Sequence, residues 1–315
     1  MDNNWIKQGL IFNVDGDLDW NKSHCQVPIV DVISDDTLRI YYATRDEAGK
    51  SRTSFIEVDS ENPKSIKYIH KEPILDLGAS GTFDDSGIMP TSILTIDEKK
   101  YLYYIGWTTR ETVPFSNAIG LAVSNDGGKT FKKVSEGPII GICPTEPYFT
   151  GTCNVIKVGN GYLAYYLSCI GWKNITGKME PFYDLKIAES QNAIDWNLLN
   201  KTAIPLGNNE GGVASASVLI ENNKFKMWFS VRGESDYREN SKNTYRIGYA
   251  ESSDGFNWER KENNVLPLSV AGWDSQMVAY PFVIENNNKL QMFYNGNGFG
   301  QSGFGYSTIY NLHKL

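Results

Sequence analysis

The chain is poor in the residues that announce metal, redox or nucleic-acid chemistry. Its 315 residues include four cysteines and three histidines. Cys25, Cys143, Cys153 and Cys169 show no C-x-x-C spacing, so neither a zinc site nor a dithiol pair is indicated. Four reduced thiols in a cytosolic protein is the simpler reading. His70 and His313 stand alone, and only His24 is placed where it can matter. The formal net charge is −7 and no run of Lys and Arg stands out. Binding phosphate backbones needs a basic stripe, so a nucleic-acid partner is excluded. No apolar run approaches the ~20 residues needed to cross a bilayer. The start, MDNNWIKQGL, lacks a basic stretch followed by an apolar one, so no secretory signal is expected. These absences lead to an expected cytoplasmic protein without a membrane span.

What the chain does have is repetition. AVSNDGGKTFKKVSEGPII from Ala122, IAESQNAIDWNLLNKTAIPL from Ile187 and YAESSDGFNWERKENNVLPL from Tyr249 share one phrase: A-x-S, a polar turn, an aromatic, then Pro-Ile or a similar end. The shared alanines are Ala122, Ala188 and Ala250, steps of 66 and 62 residues. A period of that size means one supersecondary unit is repeated. D-G and N-A steps between apolar runs are the turn chemistry of a β-hairpin.

Five aromatic-rich runs then read as the second strands of five units: TLRIYYATR from Thr37, KYLYYIGWT from Lys100, GYLAYYLSC from Gly161, KFKMWFSVR from Lys224 and KLQMFYNGN from Lys289. Such residues suit a pleated surface. In the second run Tyr101, Tyr103, Ile105 and Trp107 share one face while Leu102 and Tyr104 share the other, so both faces are expected to be buried. QVPIVDVIS, GIMPTSILTI, CNVIKVG, SASVLIE and AYPFVIE precede these runs. TSFIEVD, IGLAVS, LKIAES, YRIGYAES and FGYSTIY follow them. A fourth strand is seen in SIKYIHKEPIL and FKKVSEGPII but not in the last unit, for which WIKQGLIF from Trp5 supplies a spare. The expected fold is therefore all-β: a single domain over residues 1–315, a five-bladed β-propeller of four-stranded blades. Its ring is closed by the N-terminal strand pairing with the last blade, which leaves no exposed edge.

In such a ring the first strands converge on the axis, so polar residues at their starts are the site candidates. These are His24 and Gln26; Asp84, Asp85 and Ser86; Glu146, Thr152 and Asn154; Glu210, Ser215 and Ser217; and Trp273, Asp274 and Gln276. Ends of the second strands add Arg45, Asp46, Trp107, Trp172, Arg232, Asn295 and Asn297. Aromatic platforms beside hydrogen-bonding groups suit a sugar, with its apolar C–H faces and hydroxyl rim. Structural alternatives stand beside each. Asp84 and Asp85, in GTFDDSGIMP, can hold a turn. Glu146 lies on a loop between prolines. Asp274 can cap a strand and brace Trp273, and Arg45 with Asp46 can form an internal ion pair. Trp196 and Trp258 belong to the repeat and read as structural.

The first-strand pattern and the A-x-S-x-D-G-x-x-W phrase resemble the five-bladed glycoside hydrolase superfamily, which includes arabinanases, β-xylosidases, β-fructosidases and mannoside phosphorylases. FDDSGIMP, YLYYIGW, YRIGYAES and GWDSQMVAYP are more closely similar to a branch often associated with bacterial surface-polysaccharide gene clusters. The resemblance implies an Asp on the first blade as base or nucleophile, an Asp on the second and a Glu acid on the third. Asp84 or Asp85 matches the second and Glu146 the third. The first is missing: SHCQVPIVD presents His24 and Gln26, with Asp31 five residues beyond Gln26. Cleavage usually needs two carboxylates ~5–5.5 Å apart for retention or ~6.5–9.5 Å for inversion. A Gln cannot take a proton, whereas His24 can act as a base, and Asp85 with Asp274 is another possible pair. In the resulting expectation Asp85 activates water or phosphate, Glu146 or Asp274 protonates the leaving oxygen, and Trp107 with Trp273 stacks the ring. Arg45 and Arg232 hold an anionic group. The expected partner is a small saccharide or sugar nucleotide, with no cofactor and no metal. The alternative is a propeller that has lost its base and binds a glycan or a protein without cleaving anything.

Overall fold

The computed structural model describes residues 5–262 and 264–310; His313 lies outside the described residues. The chain is all-β. The first strand, β1 (Ile6–Phe12), pairs antiparallel with the last, β20 (Phe304–Tyr310), which pairs with β19 (Lys289–Asn295) and through it with β18 (Ala279–Asn286). The spare N-terminal strand thus lies where the sequence put it. Four further antiparallel groups follow sequence order. They are β2 (Ser23–Ser34), β3 (Thr37–Arg45), β4 (Ser51–Asp59) and β5 (Ile66–Ile69); β6 (Gly87–Ile96), β7 (Lys99–Thr109), β8 (Phe115–Ser124) and β9 (Lys132–Lys133). Next come β10 (Thr150–Val158), β11 (Gly161–Ile175), β12 (Lys178–Ser190) and β13 (Asn197–Ile204); then β14 (Glu210–Glu221), β15 (Lys224–Gly233), β16 (Arg246–Ser252) and β17 (Trp258–Glu262). Single parallel pairs, Ser51 with Gly87 and Tyr183 with Gly212, join these groups two by two into eight-stranded sheets. Among the described residues the one helix, α1 (Asn297–Gly300), is a four-residue turn, and no helix is long and apolar enough to cross a membrane.

The first strands of the groups are neighbours in cyclic order: β2 lies beside β6, β6 beside β10, β10 beside β14, β14 beside β18, and β18 beside β2. They meet side by side without a continuous ladder, so their inner N–H groups need other acceptors. Polar side chains of the preceding strand supply them. Thr91 Oγ1 accepts from the Cys153 N–H (2.8 Å) and Ser92 Oγ from that of Val155 (3.1 Å). Thr152 Oγ1 takes the Ser215 N–H and Asn154 Oδ1 that of Val218, both at 2.9 Å. Ser217 Oγ takes that of Val283 at 2.8 Å. Three residues that looked like mouth groups, Thr152, Asn154 and Ser217, therefore spend their side chains on a neighbouring strand.

The repeated phrase is a joint between groups. Its Ser accepts from the turn backbone: Ser124 from Gly128, Ser190 from Ala193 and Ser252 from Gly255, each at 2.9 Å. The turn carbonyl then accepts a tyrosine hydroxyl from the group before. Tyr41 donates to Gly128 (2.8 Å), Tyr103 to Ala193 (2.7 Å) and Tyr165 to Gly255 (2.9 Å). The phrase's aromatic, Phe131, Trp196 or Trp258, packs against that same tyrosine. Trp196 and Trp258 are structural, as the sequence suggested. Leu102, Tyr103 and Tyr104 are all buried, so both faces of β7 are covered.

Asn154→Ala leaves the Val218 N–H buried and unpaired. The expected loss is about 1–3 kcal/mol, read as a lower urea midpoint at unchanged slope.

Candidate functional site

Residues from all five groups line one cavity of about 260 Å³. Local backbone geometry creates it. Every first strand shifts register near its start: at Gln26/Ile29, Pro90/Ser92, Thr150/Cys153, Ala214/Ser217 and Ala279/Phe282. Bulges bend a strand and re-aim its side chains. Val27, Ser215 and Tyr280 take φ of 51°, 51° and 55° there, an unfavourable region for L-residues and most of all for a β-branched valine. Side chains hold all three points in place: Asn295 Oδ1 accepts the Val27 N–H (2.7 Å), Thr152 Oγ1 that of Ser215 (2.9 Å) and Ser230 Oγ that of Tyr280 (2.8 Å). Gln26, Met89, Thr152, Ala214 and Tyr280, at or beside the bulges, face the cavity as a result.

One part of the wall is aromatic. Trp107 packs on Phe115 with ring centroids 4.4 Å apart, and Phe115 touches Phe149 and Trp172 behind it. Trp107 Nε1 and Asn117 Oδ1 are buried in this wall without a protein partner. Another part is a cluster of tyrosines, Tyr183, Tyr237, Tyr245 and Tyr280. Burial lifts the hydroxyls of Tyr237, Tyr245 and Tyr280 well above the ordinary phenol range. The hydroxyls of Tyr183 and Tyr245 share a hydrogen bond, and Arg232 Nε–H donates to Tyr183 Oη at 2.8 Å. Gly212 is required here, because a Cβ at that position would overlap the Tyr183 ring.

The cations differ in how they are balanced. Arg238 pairs with Glu180 at 3.2 Å and stacks on Tyr237. Arg232, 2% exposed, gives its other bonds to the carbonyls of Pro181 and Gly233. Arg45 Nε–H donates to Gln26 Oε1 at 2.9 Å, and Gln26 Nε2 donates to the Phe299 carbonyl at 2.9 Å. Among the described residues no carboxylate pairs with Arg45 or Arg232, and no Asp or Glu lines the cavity. His24 is pushed down to about 4, by burial and then by the charge of Arg45, so it is neutral at pH 7.

Of the residues expected at the site, the cavity wall contains Gln26, Arg45, Trp107 and Thr152, while Arg232 and Trp172 lie just behind it. The carboxylates are not brought together. Asp84 is buried, accepts from Tyr104 Oη (3.0 Å) and pairs with Lys133 (2.6 Å). Glu146 repeats this with Tyr166 (2.8 Å) and Lys186 (2.9 Å), joined by Ser168. Asp274 repeats it with Tyr294 (2.9 Å) and Lys7 (2.6 Å), a lysine of β1. In all three the tyrosine follows the carboxylate by 20 residues. Asp85 Oδ2 accepts the Gly81 N–H (2.9 Å) and Oδ1 the Ser86 hydroxyl (2.7 Å), the turn-holding arrangement, and these bonds hold its carboxyl below the usual range. Asp46 pairs with Arg52 at 2.5 Å, not with Arg45. Trp273 stacks on Tyr294 (5.1 Å), and Gln276 is exposed away from the cavity.

Tyr183, Tyr237, Tyr245, Tyr280, Asn117 and Arg238 line the cavity but were not expected there. Only Tyr280 had a usable signal, standing before Pro281 at the start of a first strand as Gln26 stands before Val27-Pro28.

No family model matches the sequence. Two relatives from Mycobacterium tuberculosis do: Uncharacterized protein MT1551 (strain CDC 1551 / Oshkosh) and Uncharacterized protein Rv1502 (strain ATCC 25618 / H37Rv). Each is 32% identical over 309 residues, 98% of this chain and 99% of its own. Among solved structures, a glycosyl hydrolase from Bacteroides ovatus aligns with a TM-score of 0.67 at 15% identity, over 92% of this chain and 85% of that one. A thermostable family-43 glycoside hydrolase aligns at 0.67 and 18%, over 91% and 88%. A third structure comes from work on the GH130 family of mannoside phosphorylases, which contains glycoside hydrolases targeting β-1,2 mannosidic linkages in Candida mannan. It aligns at 0.69 and 13%, over 98% and 94%. The chain has the propeller-type fold of these glycoside hydrolases, as its repeat implied.

Lys133→Met strips the counter-ion from buried Asp84, for an expected loss of about 3–5 kcal/mol. Adding Asp84→Asn recovers most of it, and a urea titration of the single and double variants checks both. Because the unfolded chain protonates His24 near 6.5 and the native state only near 4, this group's contribution is whole above pH 6.5 and is lost as pH falls toward 4. His24→Gln is expected to flatten that part of the stability–pH curve.

Proposed function

We propose that this chain, which belongs to the family of the two mycobacterial proteins, is a carbohydrate-active enzyme of the glycoside hydrolase or phosphorylase type. Its substrate is a glycoside or activated sugar, and its site is the central cavity of a single five-bladed propeller. The observation that carries this reading is the cavity itself. All five antiparallel groups contribute to it, and its wall sets aromatic rings beside amide, hydroxyl and guanidinium groups. The cyclic adjacency of the five first strands and the pairing of β1 with β20 support a closed ring of five blades. At about 260 Å³ the cavity is at the small end of ligand clefts (~300–1,000 Å³), which suits a sugar unit and not a polymer. All four cysteines are unpaired and three are buried, which supports a reducing, cytoplasmic setting.

Paired carboxylates do not carry the chemistry in this reading. Asp84, Glu146 and Asp274 serve as buried staples within the groups, each closed by its own tyrosine and lysine. Tyr183 is the proton-donating residue. When its hydroxyl gives a proton to the leaving oxygen as water or phosphate displaces that oxygen at the anomeric carbon, the negative charge left on Oη lies 2.8 Å from Arg232 Nε, a guanidinium with no carboxylate to satisfy first, and is discharged by the proton that the attacking water or phosphate releases. A preorganised cation aimed at developing charge is the largest single contribution many enzymes use. Trp107 offers its face to the sugar ring.

The second reading, a propeller that binds sugar without cleaving it, is favoured by the carboxylate-free wall. One experiment separates the two. Purified protein is screened by thermal shift against p-nitrophenyl glycosides, sugar phosphates and sugar nucleotides, and each mixture is then assayed for product. Tyr183→Phe is expected to cut turnover at least ~100-fold while ligand affinity changes little. Trp107→Ala is expected to weaken binding about tenfold. Stabilisation without product in both wild type and Tyr183→Phe establishes the binding module instead.

A further inference from the structure

We propose that the central cavity selects an anionic saccharide, whose carboxylate or phosphate is taken by the guanidinium of Arg45; this rests on the reading of that cavity as the saccharide site. The chain as a whole carries −7, yet the cavity wall contains two arginines and no acid among the described residues. Arg238 is answered by Glu180. Arg45 is answered by no carboxylate, and Arg232, directly behind Tyr183, has only a hydroxyl and two carbonyls. Isolated charges in a low-dielectric interior are expensive, and proteins normally pair them. Arg45 at the wall, with Arg232 behind it, gives the cavity a positive potential that a bound anion would balance.

The geometry of Arg45 agrees. Its one hydrogen bond to a protein side chain uses Nε, and the acceptor, Gln26, is itself anchored to the Phe299 carbonyl. The head is therefore held at its base while its two Nη groups, without a protein acceptor among the described residues, remain for a ligand. That fork matches two oxygens of a carboxylate or a phosphate. His24 beside it is neutral at pH 7 and does not neutralise or compete with it. Burial also weakens the hold of Arg45 on its proton.

The test compares wild type with Arg45→Gln, Arg45→Lys and Trp107→Ala by calorimetric titration with glucuronate, glucose 1-phosphate, glucose and inorganic phosphate. Acidic sugars are expected to bind wild type at least tenfold more tightly than glucose, and less tightly as salt rises. Arg45→Gln removes that advantage, bringing acidic-sugar affinity down to that of glucose in the same variant, and Arg45→Lys retains part of it. With no ligand present, Arg45→Gln is expected to raise Tm, because an unbalanced charge has gone; this also shows that the variant folds. If inorganic phosphate competes with glucuronate and is lost in Arg45→Gln, the oxyanion site stands and its source includes free phosphate. If phosphate does not compete, the anion is a substituent of the sugar. Equal binding of acidic and neutral sugars, weakened by Trp107→Ala but not by Arg45→Gln, overturns the anion selectivity and leaves the cavity reading intact. Binding indifferent to Trp107→Ala, or no binding by any of the four, overturns both.

Discussion

The hydrogen bond from a second-strand tyrosine to the turn of the next group is what the architecture depends on. Tyr41, Tyr103 and Tyr165 each reach out of their own sheet to a carbonyl of the following repeat, and the turn that offers it is held by its own serine. A sheet ladder ties strands within a group, but adjacent groups meet face to face and need another means of fixing their relative position. A directional bond at the outer end, combined with side-chain acceptors such as Asn154 and Ser217 at the inner end, sets that position at two points. The rings packed between them then have a single way to interlock.

Fixing the first strands at their neighbours has a consequence for chemistry. Their backbones cannot run straight to the axis and also keep their cross-strand acceptors, and each one bulges at its start. The bulges turn Gln26, Thr152 and Tyr280 inward, so the same constraint that joins the groups also builds the cavity wall. Charge is partitioned along with it. Acids are held within the groups, where Asp84, Glu146 and Asp274 each meet a tyrosine and a lysine, and the cavity wall is left with arginines.

The strands were legible because their signals are local. Aromatic runs buried on both faces, turn residues after A-x-S, and an unpaired strand-like segment at Trp5–Phe12 all read correctly without knowledge of distant contacts. Gln26, Arg45 and Trp107 were legible as residues that would face the cavity for the same reason, since a strand end identifies them. The tyrosines of the wall were not. The chain has 18 tyrosines, and Tyr183 in a third strand looks like Tyr103 or Tyr165, which are joints. The carboxylates were hard to read for the converse reason: their partners are remote. Asp84 meets a lysine from β9, and Asp274 meets Lys7, so nothing near either acid in sequence reveals that it is already neutralised.

Likeness of fold and difference of wall are compatible, and the physics explains why. At 13–18% identity the aligned glycoside hydrolases share the arrangement of strands with this chain, and what that arrangement requires is turn serines, joint hydroxyls and aromatic cores. It places less demand on side chains such as Gln26 and Tyr280 that the bulges turn inward, because they face a cavity. A substitution there changes chemistry at little cost to the fold, which is how one scaffold serves many substrates. An unbalanced arginine behaves differently. Arg45 has one side-chain bond, to Gln26 of its own group, so the joints do not require it, and its place in the wall is accounted for by the proposed anionic ligand.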